Sequence, residues 1–280
     1  MDGIPLISVV MPLLNASAHL PSSMRSLAAQ HQRRFEVVLV DGGSSDGSLA
    51  LASDLLQAAA IPHRAELLLQ SGIYEAMNHG VAIARGDWIY VMGADDQLAG
   101  EDVFVELAPI LAHAAAEVLV IHGDVWIEDP GYRYGQSWDL PRFMQRNLSH
   151  QSAFYRRCSV QGLGVTYDPR YRLYADWNYN LRLFSLGRFL YVPLLVASYA
   201  CTGASSQRVD EVFLREKEAN ALRYFGWRAC WLLPPYWFAV GCQGRSSPML
   251  VVKQFLNRLI WLLFRLRPLR QDAACVASGQ

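Results

Sequence analysis

"FEVVLVDGGSSDGS" (residues 35–48) decides the architecture. A valine-rich apolar run stops at Asp41 and gives way to small polar residues, the mark of a buried strand that ends at a loop. The same grammar occurs upstream, where "ISVVMPLLNAS" (7–17) is a strand closing in a small polar loop. Helices follow both, in "HLPSSMRSLAAQH" (19–31) and "GSLALASDLLQAAA" (47–60). Strand alternating with helix from Ile7 to Val120 predicts a parallel sheet covered on both faces. Ligands of such sheets sit beyond the carboxyl ends of the strands, which places both loops at one edge.

A third unit starts with "AELLLQ" (65–70) and continues through "SGIYEAMNHGVAIARGDWIYVMGADDQL" (71–98). Its pattern predicts a helix from about Tyr74 to Ala84, a turn at "RGD" and a strand "WIYVM" that ends in Asp95 and Asp96. The strand ends thus deliver Asp41, Asp46, Asp95 and Asp96 to one rim. Further on, "AEVLVIHGDVWI" (116–127) and "NLSHQSAFYRR" (147–157) read as strands, and "LYADWNYNLRLFSLG" (173–187) as a helix begun near Asp176. "RFLYVPLLVASY" (188–199) is a strand and "CTGASSQ" (201–207) a loop. Composition shifts after Gln207, which divides an α/β domain, residues 1–207, from an expected helical, membrane-associating region, 208–280.

With 280 residues, 52% of them hydrophobic, the chain can bury a sizeable core, and its zero net charge argues against a nucleic-acid partner. Five cysteines without a CxxC pair signal neither a zinc site nor a disulfide framework, which suits a reducing compartment. "MDGIPLIS" has no basic n-region and its apolar run breaks at Pro12, so no cleavable secretory signal is expected and the cytoplasm is the expected location.

Two adjacent carboxylates at a strand end repel unless a cation or donors sit beside them, and a hard divalent ion resolves this with substrate phosphates as co-ligands. The structural alternative for Asp95 and Asp96 is a turn capping the helix near Glu101. Asp41 sits at a strand mouth, where it can accept from a base N–H or ribose hydroxyls, and Gly42 and Gly43 allow close approach of the backbone to a ligand. Asp46 is as well suited to capping the helix at Ser48 as to a ligand. Asp176 and Trp177 have structural alternatives of the same kind, a helix cap and core packing. His150 and Gln151 can face an acceptor or a diphosphate, Arg156 and Arg157 can pair with a phosphate, and a lone histidine in a strand is otherwise a structural group. Tyr74 and Asn78, one turn apart, are candidate lining of a donor pocket.

These blocks, "SVVMPLLNAS", "FEVVLVDGGSSDGS", "GIYEAMNHG" with "GDWIYVMGADD", "HQSAFYRR" and "ADWNYNLRL", in this order over residues 5–205, resemble the family 2 glycosyltransferases of bacterial polysaccharide assembly. The resemblance implies that residues 1–207 form a catalytic domain of α/β GT-A fold, a Rossmann-like nucleotide-binding sheet with an acceptor-side subregion; the composition beyond it adds a C-terminal amphipathic helical tail. It implies an inverting, metal-dependent hexosyltransferase using a UDP- or GDP-type sugar donor. Pro12, Leu14 and Asn15 correspond to the first nucleotide loop, and Asp41 to the carboxylate at the uracil or guanine end. Asp95 and Asp96 correspond to the DxD-type motif for Mn²⁺ or Mg²⁺, with Asp96 favoured as the direct ligand, and Asp176 to the catalytic base. Leu14 stands where many relatives carry an aromatic, and His79 where many carry a lysine.

A sugar nucleotidyltransferase is the second enzyme class considered, but "MPLLNAS" lacks the glycines of its first loop; an inactive membrane-tethered nucleotide-sugar-binding module is the third. In "MLVVKQFLNRLIWLLFRLRPLR" (249–270) Arg258 and Arg265 interrupt the apolar run before the ~20 residues of a membrane span. With six basic residues and one acidic from Arg245 to Asp272, an interfacial helix on the inner face of the cytoplasmic membrane is the expectation. Docking of this helix on the catalytic domain or a dimer contact is the alternative. A lipid-diphosphate-linked saccharide acceptor would be presented at that same surface.

Overall fold

A computed structural model describes residues 4–199, 209–229 and 233. The alternating units appear as β1 (Ile7–Leu13), α1 (Leu20–Ala28), β2 (Phe35–Asp41), α2 (Ser48–Ala58), β3 (His63–Leu67), α3 (Ile73–Ile83) and β4 (Trp88–Val91). After these come β5 (Gln97–Leu98), α4 (Val103–Ala112), β6 (Val118–Ile127) and β7 (Tyr132–Tyr134). The remainder comprises α5 (Leu140–Phe143), β8 (Ala153–Arg156), α6 (Arg157–Gly162), α7 (Ala175–Leu186), β9 (Arg188–Tyr199) and α8 (Glu211–Phe225).

The strands form one nine-stranded sheet in the order β3-β2-β1-β4-β8-β6-β9-β5, with β7 paired to β6. The first four are mutually parallel, as the strand and helix alternation requires. β8 then enters antiparallel between β4 and β6. That reversal brings the start of β8 to the carboxyl end of β4.

Burial follows the strand period: Val9, Met11, Val37 and Leu39 face α1, α2 and α4, while Val10, Val38 and Val40 face α3 and the later helices. α3 lies almost flush on the sheet at Gly80, where a Cβ would come within 2.3 Å of Val10 Cγ1. Only glycine permits that approach without repacking.

The segment 147–157 is not one strand. A 3₁₀ turn, His150–Ser152, precedes β8, because the hydroxyls of Ser149 and Ser152 bond locally, to Gln151 Oε1 at 2.7 Å and to the Ser149 carbonyl at 3.0 Å. α8, expected as the first helix of the C-terminal region, lies along α7, and its Phe213 is fully buried against Tyr171, Tyr174 and Trp177. The loop 201–207 and the basic stretch 249–270 lie outside the described residues. Among the described residues no helix is long and apolar enough to cross a membrane.

His122, 1% exposed in β6 beside Phe189 and Tyr191, is pulled down to a pKa of about 4 by burial, against the Gly123 backbone and Asp124. Its unfolded value is near 6.5, so between these pH values the unfolded chain binds the extra proton. Stability is therefore undiminished above pH about 6.5 and falls, by about 3 kcal/mol in total, as pH drops toward 4. Denaturant titrations across this range should show that slope in the parent and lose about one proton of it in His122→Leu; an unchanged slope would assign the dependence elsewhere.

Candidate active site

The carboxyl ends of β1 and β2 are laced into one rim. Asp41, 2% exposed, accepts through Oδ2 from the amides of Gly43 (3.1 Å) and Ser44 (2.9 Å) and through Oδ1 from the Ser44 hydroxyl (2.5 Å). Gly43 has φ +103, a conformation that side chains disfavour. Asn15, itself left-handed at φ 50, accepts from the Ser45 amide at 2.9 Å and donates its own amide to Ser44 Oγ at 2.9 Å. Pro12 is buried within β1 and Leu14 is 60% exposed on the rim. Asp46 serves as a tie, accepting from the hydroxyl and amide of Ser48 and from the Ser17 amide; these bonds, the Ser48 hydroxyl first, hold its carboxyl well below the usual range. Asp46 thus cross-links the two loops at the start of α2, whose N-cap position belongs to Gly47.

At the end of β4, Asp95 is exposed and Asp96 is 3% exposed. Asp96 Oδ2 accepts from the Gly93 amide at 2.7 Å, and Gln151 Nε2 stands 3.4 Å from its other oxygen. Neither acid caps α4, whose N-cap position belongs to Asp102. Burial raises the Asp96 pKa and Asp95 adds to the shift, while His150, the Gly93 amide and Gln151 oppose it. A Cβ built on Gly93 would lie 2.9 Å from both Asp95 Oδ1 and Asp96 Oδ2, so the two carboxylates close over a cradle that only glycine leaves open. Among the described residues no group of three or more His, Cys, Asp or Glu could hold a metal ion alone. One or two carboxylates completed by phosphate oxygens is nevertheless the usual donor set for Mg²⁺, and the Asp95 and Asp96 pair fits it.

Asp176 lies in the first turn of α7, and its Oδ2 accepts from Asn147 Nδ2 at 2.6 Å and faces His150 Nδ1 at 3.8 Å. Burial lowers the His150 pKa, but Asp176, Asp96 and Asp95 outweigh it and leave the imidazole above its ordinary value. The turn carrying His150 and Gln151 is anchored from β4 by the Tyr90 hydroxyl, which donates to the Gln151 carbonyl at 3.0 Å. Asp176, His150 and Gln151 border a cavity of about 320 Å³ whose opposite wall includes Tyr132, Tyr134 and Tyr199. Trp177 also borders it, with its indole N–H donated to the Phe143 carbonyl at 2.6 Å.

Several candidate residues have structural contacts of their own. Asn78 clamps Tyr167 through both backbone groups, each at 2.8 Å, and Tyr74 stacks on the Tyr167 ring at 5.9 Å. Neither borders the cavity; they join α3 to the chain leading into α7. Arg156 and Arg157 are not phosphate ligands. They sit at the opposite end of β4, where Arg156 bonds to the carbonyls of Ala114, Ala115 and Val118 and Arg157 to that of Gly86. Sequence reasoning missed Asn147, whose Oδ1 accepts from Asn180, which in turn accepts from the Tyr155 hydroxyl. No local signal separates this asparagine from an ordinary loop residue. The cavity tyrosines were equally invisible, since three distant segments converge to place them.

The mixed nine-stranded sheet, with an acid pair beyond β4 and Asp176 on the wall of a cavity that the pair does not itself line, has the GT-A glycosyltransferase architecture. The glycosyl transferase family 2 pattern matches residues 8–168, and the chain belongs to that family. PGL/p-HBAD biosynthesis glycosyltransferases of Mycobacterium bovis and Mycobacterium tuberculosis are 39% identical over 220 residues, covering 75% of this chain and 83% of theirs. Among solved structures, S. aureus TarS 1-349 in complex with UDP-GlcNAc superposes with a TM-score of 0.63 at 13% identity, covering 93% of this chain and 81% of its own. The mannosyltransferase PcManGT from Pyrobaculum calidifontis, in complex with GDP-Man and Mn²⁺, gives 0.57 at 15% identity over 94% and 82%. At such identities the structures speak for the fold alone.

Replacing Asn78 by alanine leaves both Tyr167 backbone groups unpaired and is expected to lower stability by about 1–3 kcal/mol. Urea denaturation measures this; a change within error would mean that water replaces the clamp without cost.

Proposed function

We propose that this chain is an inverting hexosyltransferase that moves a sugar from a UDP- or GDP-linked donor to a saccharide hydroxyl, in cell-surface glycan synthesis. The observation that carries the reading is the placement of Asp176 on the cavity wall, held by Asn147 and separated from Asp96 only by the His150 and Gln151 turn. The biosynthetic names of the mycobacterial relatives and the nucleotide sugars in the TarS and PcManGT complexes support it.

In this reading the rim of Leu14, Asn15, Asp41 and Gly43 receives the nucleotide. Its loops are already bonded to one another, so little ordering entropy opposes binding. The acceptor sugar lies in the aromatic cavity, where tyrosine and tryptophan faces suit the apolar face of a pyranose ring. Asp176 takes the proton of the acceptor hydroxyl as its oxygen attacks the anomeric carbon from the side opposite the diphosphate. The new glycosidic bond forms as the bond to the diphosphate breaks, which inverts the centre once. His150 faces Asp176 and can balance its charge before and after the transfer. Mn²⁺ or Mg²⁺ bound by Asp96 and Asp95 would offset charge developing on the departing nucleoside diphosphate. A lipid-diphosphate-linked acceptor and a seat on the inner face of the cytoplasmic membrane follow from the basic, apolar stretch 249–270.

The test combines UDP- and GDP-hexoses with saccharide acceptors and the variants Asp176→Asn and Asp96→Ala. Asp176→Asn should lose transfer by roughly 10²–10⁴-fold while still binding nucleotide. Asp96→Ala should lose the metal-dependent part of nucleotide binding. Full transfer by Asp176→Asn would remove Asp176 as the base.

A further inference from the structure

The family pattern ends at residue 168, yet the entry to α7 is held from beyond it, by the start of α8. Asp210, 6% exposed, occupies the N-cap position of α8 and accepts from the Phe213 amide through Oδ1 at 3.1 Å. Its other oxygen accepts from the amides of Leu173 at 3.0 Å and Tyr174 at 3.4 Å. Those two residues border the cavity, and Tyr174 is the N-cap position of α7, which has no side-chain cap of its own. Asp176 follows two residues later.

A second tie runs about two turns further along α8. Lys217, 8% exposed, donates to the Met144 carbonyl at 2.5 Å and lies over the Trp177 ring at 4.8 Å. Trp177 donates to the neighbouring Phe143 carbonyl, so α5, α7 and α8 meet at one point behind the cavity wall. Asn220 and the Tyr224 hydroxyl both reach Asn178 Oδ1, at 3.4 and 2.9 Å. A buried carboxylate accepting three backbone N–H groups is a strong and directional restraint.

We propose that Asp210 is a positioning residue for the acceptor half: by gripping the Leu173 and Tyr174 amides it sets where Asp176 and the adjoining wall stand. The catalytic unit then extends through α8, and the nucleotide rim, built from β1, β2, their loops, the start of α2 and the chain after β3, is independent of it. This inference rests on the reading of Asp176 as the base.

The test uses the full chain with Asp210→Asn and Asp210→Ser, both of which can still cap Phe213. Asparagine turns a donor toward the 173 and 174 amides, and serine is too short to reach them. Hydrogen exchange of residues 173–178 should be at least about tenfold faster in both variants, with residues 7–48 unchanged. UDP and GDP affinities should stay within about twofold of the parent. Hydrolysis of UDP-hexose and GDP-hexose, with water as the acceptor probe, should show kcat per nucleotide-binding site down about tenfold or more at unchanged donor KM. Normalising to binding sites removes any loss that comes from a smaller folded fraction.

Unchanged exchange at 173–178, or an unchanged kcat per site, overturns the proposal. Asp176→Asn is measured alongside. If that variant hydrolyses donor at the parent rate while exchange at 173–178 responds to Asp210, the base assignment fails and the grip stands as structure without the catalytic role.

Discussion

The turn at His150–Ser152 holds the acting edge together. β8 runs antiparallel between β4 and β6, so its first residues arrive where the parallel half of the sheet ends. Gln151 reaches Asp96 from this turn, and His150 faces Asp176 from it. Without that reversal the acid pair and Asp176 would belong to separate parts of the molecule. The Tyr90 hydroxyl fixes the turn from β4 itself, so the strand that ends in the acid pair also sets its distance to the opposing carboxylate.

The two sides of the edge are built by different means. The rim of β1 and β2 is local: Ser44 joins Asp41 to Asn15, and Ser48 joins Asp46 to the Ala16 amide. Such a rim is preorganised and needs no distant support. The side around Asp176 is assembled from α3, the 147–152 turn, α7 and α8, with Asn147, Tyr74 and Asp210 each entering from a different stretch of chain. Mutations far from the cavity should therefore act on this side and spare the other.

The same division explains what the sequence made legible. Buried strands are continuous apolar runs, so β1, β2, β4 and β6 stand out, and Asp41 and the Asp95 and Asp96 pair stand at or just after the ends of two of them. The positions of Asp41 and Asp96 were readable because the apolar runs of β2 and β4 show where those strands end. Asn78, Arg156 and Arg157 were misleading for the converse reason. Their side chains suit ligands, but the fold applies them to backbone carbonyls and amides whose need for partners no spacing rule displays. Asn147, the cavity tyrosines and Asp210 act through contacts between segments tens of residues apart, and only tertiary structure creates those contacts.

The central claim is a single displacement with Asp176 as its base, and the configuration of the product tests it most directly. Proton NMR during transfer from an α-configured nucleotide sugar reports the anomeric coupling of the first bond formed, before any mutarotation. The account predicts a β linkage from the outset. A first-formed α linkage would require a different displacement geometry and would contradict the role given to Asp176.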